Sequence, residues 1–241
     1  MPYFINKLKQ RIAYRTVKGH GIGIIFIHGL NSDMNGKKAL IIEKYAKKHN
    51  LSFIRFDCRG HGKSFGKFED FVISDWKQDL DDIIDNLTSG PQILIGSSMG
   101  GWLMMLAARS RYSRIKGMIG LAAAPDCDND LYKSLTKKNK NEIKKYGKTR
   151  YTLHGFSYTL KKKFFTQAKK FRILNKQFKY NKPLILIHGL KDEVVSRKTP
   201  EKIMKNVSSK NIKVIYLKNG DHRLSKKEDL NMIKQSIELI R

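Results

Sequence analysis

One short stretch constrains the fold of this chain more than any other. Residues 93–101 read Ile-Leu-Ile-Gly-Ser-Ser-Met-Gly-Gly, and an apolar, helix-like run follows them. The pattern predicts a buried strand, a sharp turn and a helix. Gly96 and Gly100 lie two residues either side of Ser98, where a side chain would obstruct a tight turn. A serine at the apex of such a turn is the context that a nucleophile elbow requires.

The predicted elbow also suggests what surrounds the serine. It places the Ser98 hydroxyl beside the N-terminus of the following helix, whose first N–H groups have no partner within the helix. Such groups stabilise a developing oxyanion. We therefore predict Ser98 as a nucleophile and the backbone N–H of Met99 as one oxyanion donor.

Apolar runs alternate with helix-like segments along most of the chain. The strand-like runs are residues 11–17, which alternate as an edge strand does, and then 24–27, 51–56, 93–95, 184–187 and 212–217. Short continuous apolar runs are typical of strands covered on both faces, and their alternation with helices indicates βαβ units. We therefore predict an α/β fold with a mostly parallel central sheet, helices on both faces, and a single domain over residues 1–241.

The alternation stops between Pro125 and Lys182. This segment is rich in lysine and aromatic residues, and it is too long for an ordinary connection, so we expect helices within it. We predict residues 126–182 to be a lid inserted over the active site; the alternative is a peripheral insert whose aromatic residues fill a small core of their own. Trp102 and the aromatic residues of the insert are candidate acyl-chain contacts, although Trp102 also suits a core position.

A serine nucleophile needs an acid that orients its base. In parallel α/β sheets, functional residues follow the carboxyl ends of strands. Asp192 lies in the loop after the strand-like run 184–187 and is the predicted acid, with the neighbouring Glu193 as the alternative.

The predicted base is His222, which follows the strand-like run 212–217. Of the seven histidines, it alone combines a strand-end loop, a position after the acid and the chain order serine, acid, histidine. Asp221 is interpreted as a turn residue, because it cannot easily face the ring of its own neighbour.

Two glycine-rich strand exits precede the elbow. Gly29 lets the backbone approach a substrate, so we predict the Leu30 N–H as the second oxyanion donor; a plain strand-to-helix turn is the alternative. Residues 57–64 lack the spacing of a phosphate-binding loop and are interpreted as a structural turn. In the helix predicted at residues 75–87, we expect four aspartates mostly on the polar side: Asp79, Asp81, Asp82 and Asp85.

The net charge of +28 and the pI near 10.1 favour weak attraction to acidic surfaces. The excess is mostly lysine spread along the chain, a pattern that an AT-rich genome would also produce. The densest basic segment lacks the aromatic platforms of a nucleic-acid module, so we expect no specific nucleic-acid partner.

The remaining composition limits cellular location and cofactors. No apolar run approaches the roughly 18 residues of a membrane span, and the basic N-terminus lacks the apolar region of a secretory signal. The two cysteines, Cys58 and Cys127, have neither metal-ligand spacing nor a disulfide framework. We therefore expect a cytoplasmic protein, as a monomer or a homodimer.

Taken together, these motifs resemble the α/β-hydrolase superfamily over essentially the whole chain. Four motifs carry the resemblance in order: residues 28–30, 57–64, 96–100, and 189–192 followed by 221–222. Three stretches are similar to the branch that contains the mitochondrial palmitoyl-protein thioesterase, also described as mycophenolic acid acyl-glucuronide esterase, and bacterial relatives: residues 33–39, 91–104 and 221–223.

The resemblance implies a Ser98–Asp192–His222 triad, no metal and no organic cofactor. It also implies hydrolysis of acyl esters or S-acyl thioesters, on small molecules or S-acylated proteins, through an acyl-enzyme. The sequence departs from the family in two places: the usual Val-Pro after the acid reads Val-Val-Ser at residues 194–196, and the insert matches poorly and is far more basic. The same triad also supports acyl transfer and C–C bond hydrolysis, and a basic non-enzymatic binding protein is a further alternative.

Overall fold

A computed structural model describes residues 1–153 and 156–241. Its strands are β1 (Tyr3–Ile5), β2 (Arg11–Val17), β3 (Gly23–Ile27), β4 (Phe53–Phe56), β5 (Gln92–Ser97), β6 (Ile115–Leu121), β7 (Lys148–Leu153), β8 (Phe156–Lys161), β9 (Leu184–Gly189) and β10 (Ile212–Leu217). Eight of them form one sheet in the order β1-β2-β4-β3-β5-β6-β9-β10. All neighbours from β4 to β10 pair in parallel, and only β1–β2 and β2–β4 are antiparallel. The predicted mostly parallel sheet is confirmed.

Helices cover both faces of the sheet, as predicted. They are α1 (Lys37–Lys48), α2 (Ile73–Leu87), α3 (Met99–Ser110), α4 (Cys127–Ser134), α5 (Lys137–Tyr146), α6 (Lys162–Ala168), α7 (Thr199–Asn206) and α8 (Lys227–Glu238). One apolar cluster joins the sheet to α2 and α3 through Trp76 and Trp102. A second joins the opposite face to α1 and α8 through Ile42 and Ile233. The strands between the two clusters are therefore buried on both faces, which explains their continuous apolar sequences.

The strand at Arg11–Val17 is not at the edge of the sheet. The antiparallel strand β1 covers it, with Phe4 opposite Ile12, and Ile12 and Ala13 are fully buried. The edge is thus the three-residue β1, which is too short to show a period in the sequence.

The expectation that the aspartates of α2 lie mostly on its polar side is wrong for Asp79, Asp81 and Asp82, which are buried. Asp79 is fully buried and accepts a hydrogen bond of 2.6 Å from Nε of Arg59. Asp81 pairs with Lys77 of the same helix. The helical period marks these positions as polar, but it does not show which neighbouring side chains pack over their carboxylates.

The insert, residues 126–182, contains the expected helices and also a hairpin. Helices α4, α5 and α6 accompany the antiparallel pair β7–β8, in which Tyr151 lies opposite Tyr158. Residues 154–155 lie within the insert and outside the described residues. Phe164 and Phe165 are buried in the cluster around α2 and α3, so the insert joins the main core. In the described part of the chain, no helix has the length and apolar character needed to cross a membrane.

Candidate active site

Ser98 lies at a sharp turn between β5 and α3, with φ of 53° and ψ of −120°. This is a strained conformation for a residue with a side chain. The neighbouring glycines are needed for close packing: a Cβ at Gly96 would lie 2.4 Å from the Gly100 carbonyl oxygen. The Ser98 N–H donates to the Leu121 carbonyl at 2.9 Å, and the Ser98 carbonyl accepts from Gly101 at 2.9 Å. These contacts hold the serine at the strand end.

The predicted acid and base are in direct contact. His222 Nδ1 and Asp192 Oδ2 are 2.9 Å apart. The loops that carry them pack closely, because the Lys191 N–H donates to the Gly220 carbonyl at 2.9 Å and a Cβ at Gly189 would lie 2.3 Å from that same oxygen. The two strands before these loops, β9 and β10, are parallel neighbours.

The surroundings of Asp192 favour its ionised form. Its side chain is fully buried, and Oδ1 accepts hydrogen bonds of 2.8 Å from the N–H groups of Val194 and Val195. Burial raises the pKa of Asp192, but the hydrogen bond and charge of His222 and these backbone donors outweigh it, so the pKa lies below its ordinary value. A carboxylate held in this way orients the imidazole and stabilises its protonated form.

Ser98, Asp192 and His222 each follow a strand at one edge of the sheet. Of these three side chains, only Asp192 and His222 are joined by a hydrogen bond. In residues 1–153 and 156–241, His222 Nε2 makes no hydrogen bond, and Ser98 Oγ makes none to His222. Bonds between a nucleophile and its base are often long in proteins without substrate. Glu193, the alternative acid, is exposed. Asp221 accepts from the N–H groups of Arg223 and Leu224, as expected of a turn residue.

The loop after β3 lies directly against the serine. A Cβ at Gly29 would be 3.2 Å from Ser98 Cβ and 3.8 Å from its Oγ. Among the described residues, no acceptor is paired with the backbone N–H of Leu30 or of Met99. Two unpaired N–H groups next to the serine are what an oxyanion site needs, so the two predicted donors remain our candidates.

His28 orients this loop in a way that the sequence did not reveal. The Cys58 N–H donates to His28 Nε2 at 3.0 Å, so the ring proton must lie on Nδ1, which donates to the Gly29 carbonyl at 2.7 Å. In a trans peptide, the N–H points away from the carbonyl. The bond that draws the Gly29 carbonyl toward His28 therefore turns the Leu30 N–H in the opposite direction. Burial lowers the pKa of His28 and so favours the neutral ring that this arrangement needs.

Lys38 is a second residue that sequence reasoning missed. Its ammonium donates to the carbonyl of Arg223, the residue after His222. Burial lowers the pKa of Lys38 to about 8, against the attraction of Asp221 and Asp229. Lys38 lies at the start of α1, within the 33–39 stretch on which the family resemblance partly rests, and that stretch was the available signal.

The insert lies beside the oxyanion loop. Tyr158 of β8 packs edge-on against Phe68, with ring centroids 5.9 Å apart. Its hydroxyl lies near the Asn31 side chain, and burial raises its pKa above the ordinary value. Lys161 forms an ion pair of 2.9 Å with Asp70. Asn31 directly follows Leu30, so β8 reaches the proposed oxyanion site.

Trp102 has a different partner from the acyl chain that the sequence suggested. Its side chain is fully buried, and its indole N–H donates to the Phe171 carbonyl of the insert at 3.0 Å. The contact that the structure gives to Trp102 therefore joins α3 to the insert. In the described part of the chain, no three His, Cys, Asp or Glu side chains are grouped so that they could hold a metal ion.

Comparisons with known proteins identify the family to which the chain is similar. The sequence profile of the serine aminopeptidase S33 family of hydrolases matches residues 21–140. The mitochondrial palmitoyl-protein thioesterase ABHD10 of Bos taurus is 37% identical over 231 residues, which cover 94% of this chain and 75% of that protein. The Homo sapiens protein of the same name is also 37% identical, over 240 residues that cover 98% of this chain and 78% of its own length.

A solved structure extends the likeness to three dimensions. Alpha/beta hydrolase domain-containing protein 10 from mouse superposes with a TM-score of 0.91 at 33% sequence identity. The alignment covers 99% of this chain and 97% of that one, so it includes the insert as well as the sheet.

The expected cytoplasmic location is wrong, because the similar proteins are named as mitochondrial. The expectation depended on two unpaired cysteines and an N-terminus unlike a secretory signal. Those features separate oxidising from reducing surroundings, but they do not separate one reducing compartment from another.

Proposed function

The chain belongs to the α/β-hydrolase family that contains the palmitoyl-protein thioesterases ABHD10 and is a serine hydrolase, and from this premise we propose that Ser98, His222 and Asp192 are its catalytic triad. The observation that carries the proposal is the 2.9 Å contact between His222 Nδ1 and the buried Asp192 carboxylate. That contact leaves His222 Nε2 as the nitrogen that can take a proton from Ser98.

The first half of the reaction forms the acyl-enzyme. Ser98 Oγ attacks the acyl carbonyl as His222 Nε2 removes its proton, and Asp192 stabilises the imidazolium. The negative charge that develops on the carbonyl oxygen is held by the N–H groups of Leu30 and Met99. The tetrahedral intermediate collapses when His222 gives the proton to the departing thiol or alcohol.

The second half releases the acid. A water molecule loses a proton to His222 and attacks the acyl carbon, and the same two N–H groups hold the second oxyanion. Collapse of this intermediate returns the proton to Ser98 Oγ and frees the carboxylic acid. Every proton passes through one imidazole, so no metal or organic cofactor is needed by this scheme.

We infer that the substrates are S-acyl thioesters and carboxylic esters, with an S-acylated protein or a small acyl compound as the source of the acyl group. Homology to the thioesterases supports this choice. The apolar contacts of the insert support an acyl chain: Tyr158 and Phe68 lie beside the loop of the proposed oxyanion site. In this proposal the insert is the lid, Gly29 lets the substrate carbonyl approach, and Trp102 anchors the lid.

The test is hydrolysis of a matched series of p-nitrophenyl esters and S-acyl thioesters with chains of two to sixteen carbons. We expect turnover that rises with chain length up to the limit set by the insert. Ser98→Ala should lower kcat by at least about 10³-fold with unchanged circular dichroism. Full activity in that variant, or no turnover of any substrate by the unmodified protein, would overturn the proposal. Product analysis with added alcohols distinguishes hydrolysis from acyl transfer.

A further inference from the structure

The outer face of α5 carries five lysines and no acid. Lys137, Lys138, Lys140, Lys144 and Lys145 fall within less than half of the helix circumference, since each residue advances 100°. Four of these side chains are exposed and that of Lys140 is half-buried.

The opposite face of α5 packs on the hairpin. Ile143 is buried there, and Asn139 donates to Thr149 Oγ1 of β7 at 2.9 Å. Glu142, the one acid of the helix, accepts from the hydroxyl of Thr149 on that inner side. The negative charge of the helix is therefore turned away from the lysines.

Part of the lysine face is unfavourable for the helix itself. Lys140 and Lys144 are like charges at i and i+4, and Lys137 and Lys140 at i and i+3, and both spacings destabilise a helix. Lys137 and Lys138 also lie at the N-terminus, the positive end of the helix dipole. None of the five forms an ion pair within residues 1–153 and 156–241, whereas Lys47, Lys77 and Lys161 elsewhere do.

Two exposed tyrosines are each in contact with a lysine of this face. Tyr132 is 42% exposed, and Lys140 Nζ lies 5.6 Å from its ring centroid. Tyr146 is 63% exposed, and Lys145 Nζ lies 5.1 Å from its ring centroid. A tyrosine places an apolar ring and a polar hydroxyl at a boundary between lipid and water.

We propose that the lysine face of α5, with Tyr132 and Tyr146, docks the enzyme on an anionic phospholipid surface. Charge complementarity supports this partner: four to eight clustered lysines on an amphipathic helix are typical of binding to acidic lipids. A nucleic acid is less favoured, because the face has no arginine for bidentate phosphate contacts and no groove. The link between this docking and the substrate rests on the proposed function, because long acyl chains reside in bilayers. The binding to the lipid surface itself does not depend on the proposed function.

The position of α5 fits this role. Helix α5 packs on β7, β7 pairs with β8, and Tyr158 of β8 reaches the loop after Leu30. The hairpin thus lies between the docking face and the proposed oxyanion site. An acyl chain that leaves the bilayer would meet the insert before it reaches Ser98.

The experiment is co-sedimentation of the whole protein with phosphatidylcholine vesicles that contain 0 or about 30% phosphatidylglycerol. The test variant replaces the five lysines by glutamine, which preserves helix propensity. The matched control replaces Lys198, Lys202, Lys205, Lys210 and Lys213, which are exposed around α7 and β10. Both variants lower the net charge by five.

We expect the unmodified protein and the control to bind anionic vesicles and not neutral ones, with a loss of binding at high salt. Each lysine at an anionic surface contributes about fivefold to partitioning, so the α5 variant should bind at least about a hundredfold more weakly. Tyr132→Ser with Tyr146→Ser should weaken binding further at intermediate salt, where the lysines are partly screened and binding is still measurable. Ser98→Ala should bind like the unmodified protein, and the α5 variant should hydrolyse soluble p-nitrophenyl acetate at the normal rate. These two results separate a failure of docking from a failure of the proposed chemistry.

Equal losses of vesicle binding in the α5 variant and the control would show that only the net charge matters and would overturn the proposal. Tighter α5-dependent binding to duplex DNA or RNA than to vesicles at physiological salt would assign the face to a nucleic acid and would also overturn it.

Discussion

Asp192 and Glu193 are adjacent carboxylates in one loop, and only Asp192 is buried against the His222 ring. The sequence left both open as the acid. Two backbone N–H groups and the imidazole share the Asp192 carboxylate, whereas Glu193 is exposed to water. The distinction thus comes from how the loop folds back on itself, which the spacing of the residues does not specify.

Asp192→Asn should lower kcat by roughly 10³–10⁴-fold, because an amide favours the wrong tautomer of His222. Glu193→Gln is the matched control and should keep kcat within about twofold. Initial rates on a soluble ester, with circular dichroism of both variants, provide the measurement. If Glu193→Gln proves to be the inactive variant, the acid is wrongly assigned.

Lys38→Met should lower kcat by about tenfold or more with little change in KM. The ammonium of Lys38 holds the Arg223 carbonyl, and a small displacement of the neighbouring His222 slows proton transfer more than substrate binding. Lys37→Met removes an exposed lysine from the adjacent position and should change neither constant. A steady-state comparison of the two variants and of Lys38→Arg, which keeps a donor, tests the role. A rise in KM alone would point to substrate contact instead.

At the scale of elements, the sequence predicted strands and helices correctly where an apolar run or a helical period was uninterrupted. The strand-like runs at 24–27, 184–187 and 212–217 became β3, β9 and β10, and the helix expected after Ser98 is α3. The hairpin β7–β8 was missed, because its buried positions Thr149, Tyr151 and Leu160 lie among lysines and polar residues. Its strands are stabilised by tertiary packing on the 3₁₀ turn at Phe68–Asp70, and their own sequence shows no clear strand pattern.

The contact between α3 and the insert gives a test at this scale. Trp102→Phe removes the N–H bond to the Phe171 carbonyl and leaves a small cavity, so it should lower the free energy of unfolding by about 1–3 kcal/mol. Trp76→Phe is a matched control: Trp76 is equally buried and donates to the Arg59 carbonyl at 2.9 Å.

Urea denaturation should show similar decreases in the free energy of unfolding for both variants. The KM for a long-chain ester should stay close to normal in both, because neither indole is exposed to substrate. A selective rise in KM for Trp102→Phe would restore this residue to the acyl-binding role that the sequence suggested.

At the scale of the whole molecule, a buried histidine links the stability of the fold to pH. His61 packs with Phe68 and Trp76, and its Nε2 is buried without a partner among the described residues. Burial, together with the neighbouring His28, lowers the pKa of His61 to about 3. In the native state, the His61 ring therefore stays unprotonated at pH values where the same histidine in the unfolded chain, with a pKa near 6.5, has taken up a proton.

This difference makes His61 a source of acid sensitivity. Below about pH 6.5 the unfolded state binds one more proton at this position, so stability falls by about 1.4 kcal/mol for each pH unit until about pH 3. His61→Phe keeps the aromatic packing and should flatten the pH dependence of unfolding by about that slope. Replacement of the exposed His20 by Asn should leave the slope unchanged. Urea midpoints at pH 7.5, 6 and 5 measure both, and equal slopes for His61→Phe and the unmodified protein would contradict the account.

The measurement that tests the central claim most directly is the site of covalent labelling by a fluorophosphonate. After treatment and digestion, peptide mass spectrometry should find the adduct on Ser98, because in the proposed mechanism His222 activates this hydroxyl at the turn between β5 and α3. Ser97→Ala changes the adjacent serine, which is buried at the end of β5, and should keep the label, whereas Ser98→Ala should lose it. Labelling that persists in Ser98→Ala, or that disappears only in Ser97→Ala, would contradict the assignment of Ser98 as the nucleophile.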